Sequence, residues 1–168
     1  MIMCKFVSVL FLSLSFLLSP AVFGEGLGEL LPEKLVDAEG NEVELSSLEG
    51  KLVALYFSAQ WCPPCRAFTP GLVEFRNENA DEFQVVFISS DRSAADMQKY
   101  MKDYKMDFLA VPYTAPARGT LGRHFGVRGI PTLIILDDKG NVISRDGRGD
   151  LTRDREGALA AWQAKVEG

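Results

Sequence analysis

The sequence predicts an α/β fold, a mixed central β-sheet with helices on both faces. Three observations carry that expectation. Leu52 to Phe57, a continuous apolar run, reads as a strand buried on both faces, and Phe83 to Ile88 as a second buried strand. A helical stretch separates them, and a crossover helix makes two such strands parallel neighbours. A closing hairpin, Thr132 to Leu136 and Val142 to Arg145 about the turn Asp138-Lys139-Gly140-Asn141, adds antiparallel strands. Strands and helices alternating in this way form a sheet sandwiched between helical layers.

The remaining elements follow in chain order. Gly24 to Pro32 reads as a short flexible lead. Lys34-Leu35-Val36 and Val43-Glu44-Leu45 flank the turn Asp37-Ala38-Glu39-Gly40-Asn41, a small hairpin signal. Pro63 and Pro64 suit the first turn of a helix, where a missing N–H costs nothing. Ala67, Phe68, Leu72 and Phe75 then mark an apolar helical face, and Pro70 should kink that helix. Ser93 with Asp96 resembles a capping box, ahead of Met97, Tyr100, Met101 and Tyr104 at helical spacing. That Met and Tyr stripe reads as core. Leu109 to Tyr113 reads as a short extended piece and Ala117 to Phe125 as a short helix. A last helix starts near Thr152 and buries Leu159, Trp162 and Val166.

The first two dozen residues are a different material. Lys5 is the only charge before Glu25, and Phe6 to Leu18 is nearly all Phe, Leu and Val diluted with Ser. Pro20 breaks the run, and small residues follow at Ala21 and Gly24. A basic start, a short apolar stretch and a small-residue exit are the parts of a secretory signal peptide. A spanning helix needs roughly 20 residues, more than this run offers comfortably. Residues 1–24 are therefore expected to be removed after Gly24, leaving residues 25–168 as one domain outside the cytoplasm, periplasmic or secreted. Cleavage after Ala21 and an uncleaved anchor are the alternatives. The net charge of −5 over 168 residues argues against binding nucleic acid.

Of the three cysteines, Cys4 falls in the leader, which leaves Cys62 and Cys65. A bridge over two intervening residues closes too short a loop to restrict the unfolded chain much. Chemistry explains the pair better than stability. At a helix start the two face each other across one turn. Cys62 sits at the cap, near unpaired N–H groups and the positive end of the helix dipole, which lowers a thiol pKa. Cys62 is the expected exposed attacker, and Cys65, one turn inside, the resolver of the mixed disulfide. Arg66 adds positive field, and Trp61 offers a flat contact surface beside Pro63. A zinc site would need two more ligands, and the remaining candidate, His124, reads as a surface helix residue. A peroxidase using Cys62 alone is a lesser alternative. No cofactor is expected beyond a redox-active Cys62–Cys65 disulfide, and no metal.

Ile130-Pro131-Thr132 is the second informative spot. Taken alone, Pro131 reads as a trans proline opening a strand. Beside the cysteine pair it reads as cis, a turn that frees the Ile130 backbone to pair with an extended peptide.

Assembled, Trp61-Cys62-Pro63-Pro64-Cys65, Pro70 and Ile130-Pro131-Thr132 resemble the thioredoxin fold over roughly Leu35 to Val166. The segment from Tyr56 to Pro70 is very similar to the active-site segment of the tryparedoxin and nucleoredoxin subfamily. The resemblance implies a nucleophile at Cys62, a resolver at Cys65 and a cis proline at Pro131 lying against the disulfide. Many thioredoxins carry a buried aspartate where this chain has Tyr56, an acid that assists proton transfer to the resolver; tryparedoxin-like proteins have an aromatic there. With its leader and its leading hairpin the chain also resembles bacterial periplasmic thiol reductases that serve cytochrome c maturation. A monomeric protein-disulfide reductase is therefore expected, acting on protein or small-molecule disulfides and re-reduced by a membrane-bound electron donor. An oxidase that donates disulfides, and a non-catalytic binding or chaperone module, are the alternatives.

Overall fold

A computed structural model describes residues 26–167. The expected leader, Cys4 and its cleavage site lie outside the described residues. The lead before the first strand, expected to be flexible, contains a one-turn helix, α1 (Leu27–Leu30). Its apolar residues explain the difference, since Leu27 and Leu31 are buried against the sheet and hold the turn in place.

The first hairpin pairs β1 (Lys34–Val36) with β2 (Glu42–Glu44), and a 3-10 turn at Leu45–Leu48 follows. Next come β3 (Leu52–Ser58), α2 (Pro63–Glu78), β4 (Phe83–Ser89), α3 (Ala94–Asp103) and the two-residue β5 (Leu109–Ala110). The chain ends with α4 (Ala117–His124), β6 (Thr132–Leu136), β7 (Val142–Ser144), α5 (Gly147–Arg153) and α6 (Ala158–Glu167). One seven-stranded sheet has the order β2-β1-β5-β4-β3-β6-β7. As expected, β3 and β4 are parallel neighbours, while β6 runs antiparallel to β3 and to β7.

Both central strands are buried at every position, and their side chains alternate between two cores. Leu52, Ala54 and Tyr56 join α2, α3 and the two C-terminal helices on one face. Val53, Leu55 and Phe57 join α1, the 3-10 turn and α4 on the other. The period of two in a strand sends successive side chains to opposite faces. Both faces are covered, which is why the apolar run of β3 from Leu52 to Phe57 is uninterrupted.

Two edge hairpins share one turn device. Asp37 accepts the Asn41 N–H at 2.8 Å, and Asp137 accepts the Asn141 N–H at 2.8 Å. Gly40 (φ 90°) and Gly140 (φ 85°) supply the left-handed residue that each turn requires.

Three local expectations differ from the structure. The last helix is two helices. Asp146 caps α5 by accepting the Gly149 N–H, and Asp154 accepts the Gly157 N–H at 3.0 Å, which breaks the run. Val166 is 45% exposed rather than buried. The buried face of α2 is formed by Cys65, Thr69, Leu72, Val73 and Phe75, with Ala67 exposed and Phe68 half-buried. The helix continues through Pro70, which lies on its exposed side. Among the described residues no helix is long and apolar enough to cross a membrane.

Candidate active site

The site lies beyond the carboxyl ends of β3 and β4, where parallel strands leave helix N-termini and loops free to converge. β3 ends at Ser58, and Ala59 to Trp61 carry the chain to Cys62, the N-cap residue of α2. Pro63 and Pro64 open the helix and are exposed. Cys62 and Cys65 form a disulfide with their Cα atoms 5.2 Å apart. Neither sulfur residue stands out in solvent. Cys62 is 5% exposed and Cys65 0%, so both are buried in the disulfide, and the exposed Cys62 of the sequence reading is not found. Ala59 and Ile130 pack beside the pair and account for the cover.

The Ile130-Pro131 peptide bond is cis, as expected from its setting beside the cysteines. Register explains how it gets there. Thr132, the first residue of β6, pairs with Phe57 near the end of β3, so Ile130 and Pro131 fall level with the loop that enters α2. The Ile130 carbonyl oxygen lies 3.9 Å from Cys62 Sγ. Pro131 is buried and Ile130 half-buried.

Tyr56 points into the opposite, interior side of the pair. Its hydroxyl lies 3.3 Å from the Cys65 carbonyl oxygen and 2.8 Å from Thr69 Oγ1. Thr69 donates to the same carbonyl at 2.9 Å and lies 2.6 Å from the Tyr100 hydroxyl, which in turn meets Ser58 Oγ at 3.3 Å. All four side chains are fully buried. Burial, followed by the neighbouring Tyr100, holds the Tyr56 phenol above its ordinary pKa, so it stays a neutral hydroxyl. At the position where the resemblance to thioredoxins implies a buried aspartate, this chain has Tyr56, one of two hydroxyls on the Cys65 carbonyl, with Tyr100 and Ser58 linked behind Thr69.

On the outer side, Trp61 is 53% exposed, and its Nε1–H donates to the Ser90 carbonyl at 3.1 Å. That bond fixes the indole at the rim. Asp91, only 4% exposed, accepts from the Gln60 N–H at 2.8 Å and from Ser89 Oγ at 2.9 Å. Burial pushes its carboxyl up, against those two hydrogen bonds. Tyr113 donates to the Asp91 carbonyl at 3.1 Å, and Arg118 to the Ser89 carbonyl at 3.2 Å. The loop after β4 is thus tied to the segment that leads into Cys62. Arg66 is exposed on the first turn of α2, and its N–H closes on the Cys62 carbonyl. His124 is exposed on α4 against Phe125. Among the described residues no three His, Cys, Asp or Glu side chains cluster as metal ligands.

Of the residues singled out in the sequence, Tyr56, Trp61, Cys62, Pro63, Cys65, Arg66, Ile130 and Pro131 lie about the Cys62–Cys65 turn, and Pro70 lies further along α2 on its exposed side. The sequence reading missed Ser58, Thr69, Tyr100 and Asp91. Thr69 had a findable signal, four residues after Cys65 on a helix and so directly over its carbonyl.

These features have known counterparts. Residues 50–142 match the family described as Thioredoxin-like. The chain belongs to the thioredoxin-like family. It is 44% identical over 143 residues to a tryparedoxin of Trypanosoma brucei brucei, covering 82% of this chain and 97% of that protein. It is 45% identical over 141 residues to mouse (Mus musculus) nucleoredoxin, covering 82% of this chain and 32% of that protein. The chain therefore spans about a third of the length of the nucleoredoxins it matches. A solved structure of tryparedoxin II complexed with glutathionylspermidine is similar with a TM-score of 0.72 and 38% identity, over 79% of this chain and 94% of that one. The Cys62–Cys65 disulfide lies within the residues that match the family.

Proposed function

We propose that the chain reduces disulfides of proteins or small molecules outside the cytoplasm, with Cys62 as attacker and Cys65 as resolver. The observation that carries the division of roles is the asymmetry of the pair. Cys62 caps α2 at the rim beside Ile130, and Cys65 is sealed one turn inside. A substrate sulfur reaches the first and not the second. The helix N-terminus stabilises the Cys62 thiolate.

The reaction balances without a cofactor. The Cys62 thiolate attacks one substrate sulfur, the substrate S–S bond breaks, and the other sulfur leaves as a thiolate. That leaving thiolate takes the Cys65 proton, a base supplied by the reaction where Tyr56 offers none. The Cys65 thiolate then attacks Cys62 Sγ, the second substrate sulfur departs as a thiolate that water protonates, and the internal disulfide remains, carrying the oxidation the substrate lost. Ile130 and Pro131 present the backbone edge against which an extended substrate lies, with Trp61 and Pro63 as apolar contacts. The small-molecule arm is supported by the related tryparedoxin II that binds glutathionylspermidine. The Pro63-Pro64 pair and the family likeness support the reducing direction. The compartment rests on the leader, residues 1–24. A membrane-bound donor would return electrons to the monomer there.

Purified protein should reduce insulin with dithiothreitol as electron source, and Cys62→Ser should abolish it; equal rates would sink the assignment. A redox titration against glutathione reads the direction, a strongly oxidising potential reversing it. N-terminal sequencing of exported protein should begin at Glu25, and retention of the tagged full chain in the cytoplasm would overturn the compartment.

A further inference from the structure

Beside Trp61 is an open cleft of about 300 Å³ lined by Gln60, Trp61, Arg66, Asp91, Arg92 and Asp96. It runs from the first turn of α2 to the start of α3. Its four charged groups are not equivalent. Asp91 is buried and holds its oxygens against Gln60 and Ser89. Asp96 accepts from Ser93 Oγ at 2.8 Å, within the cap of α3. Asp91 thus has both carboxylate oxygens on the protein's own donors, and Asp96 has one. Arg66 and Arg92 are exposed and make no side-chain hydrogen bond or ion pair among the described residues. An unpaired guanidinium carries five N–H donors in a fork that matches a carboxylate. Arg66 stands four residues after Cys62 on α2, so the two share a helix face. The Trp61 indole N–H is held by Ser90, which leaves its ring as one wall.

The geometry points to a carboxylate-binding subsite, in which Arg92 and Arg66 select disulfides that carry an acidic group next to the reacting sulfur. The inference rests on thiol–disulfide exchange at Cys62, as proposed above. It runs against the overall charge of −5, which taken alone would favour cationic substrates. Glutathione disulfide carries the required carboxylates. A peptide with Glu or Asp flanking a half-cystine offers the same group.

The test is the second-order rate at which reduced protein, followed by Trp61 fluorescence, reacts with three small disulfides. These are glutathione disulfide (anionic), bis(2-hydroxyethyl) disulfide (neutral) and cystamine (cationic). Arg92→Glu should lower the glutathione-to-cystamine rate ratio by about tenfold relative to wild type, the equivalent of about 1.4 kcal/mol. Arg92→Gln should lower it less, and added salt should shrink the difference. Cystine-linked peptides with Glu or Lys beside each half-cystine separate the sources: a charge effect of Arg92 in the peptides alone assigns the cleft to acidic protein segments. An unchanged ratio in Arg92→Glu and Arg66→Glu, in small disulfides and peptides alike, overturns the subsite while exchange itself stands. A wild-type protein inert to every disulfide overturns the exchange reading and the subsite with it.

Discussion

The two sides of the Cys62–Cys65 turn are built from opposite materials. Beneath it, Ser58, Tyr56, Thr69 and Tyr100 join hydroxyl to hydroxyl in a dry interior and end on one carbonyl, that of Cys65. Above it, Trp61, Arg66, Arg92 and Ile130 stand at the rim with faces or charges open to a ligand. The inner side spends its polar groups on the protein; the outer side holds some in reserve. Buried polar groups must be paired, and a closed set of hydroxyls rigidifies what it touches. Rigidity and accessibility are thus assigned to different residues one helical turn apart. Cys65 is held from below, and Cys62 lies toward the rim.

The sharpest way to break that comparison is to remove the resolver. Cys65→Ser leaves Cys62 able to attack and unable to release its product. Turnover should be lost, and mass spectrometry of the variant after exposure to a disulfide should show a stable adduct on Cys62. The companion Cys62→Ser protein should carry no adduct. An adduct on Cys65 in that protein would mean that the inner sulfur is reachable, and the two sides would no longer differ.

Thr69 is the next test, because it is the junction of the inner network. Its hydroxyl has one proton and two lone pairs. Donating to the Cys65 carbonyl, it can accept from both tyrosines, and Ser58 then donates to Tyr100. Thr69→Val keeps the shape and removes the junction, leaving buried hydroxyls short of partners. The expected loss of stability is about 1–3 kcal/mol, read from urea unfolding. Thr69→Ser should recover most of it. A Val variant as stable as wild type would show that the hydroxyl network holds nothing.

Tyr56 gives the same network a pH signature. Its folded pKa is raised by burial first and Tyr100 second. The unfolded chain loses the phenol proton near about pH 10. Below that pH both states are protonated and the stabilising contribution is complete. Above it the unfolded state releases a proton that the folded state keeps, so stability falls as pH rises. Wild type should therefore lose melting temperature above about pH 10 faster than Tyr56→Phe does. Parallel curves would place the ionisation elsewhere.

Much of this was legible in the sequence, and the reasons are local. Leu52 to Phe57 could only be a strand buried on both faces, and Ser93 with Asp96 marked the start of α3, where the cap bond is present at 3.0 Å. Cys62 followed by two prolines located a helix N-terminus, and Pro131 had meaning through that neighbour. Other features required three dimensions. Tyr100 sits in a stripe that hydropathy assigns to the core, where it is; nothing in the spacing says that its hydroxyl meets Thr69 from another helix. Asp91 looks like a surface loop residue, and its burial depends on Gln60, thirty-one positions earlier. The break between α5 and α6 had a signal, Asp154 three residues before Gly157, but the apolar run beyond it read as one continuous helix.

The smallest expected effect belongs to the outer side. Trp61→Phe keeps a flat apolar ring and removes the Nε1–H that Ser90 accepts at 3.1 Å. The ring is more than half exposed, so water replaces the lost partner and stability should change by less than about 1 kcal/mol. The consequence belongs in substrate binding. An indole released from Ser90 no longer holds one orientation at the rim, so KM for insulin should rise while kcat, set by the sulfurs, stays close to wild type. That pairing separates the two sides of the site more finely than any loss of fold: a change beneath the turn alters stability, and a change above it alters KM. A Trp61→Phe protein with unchanged KM and a marked drop in stability would reverse the assignment, making the indole a structural strut.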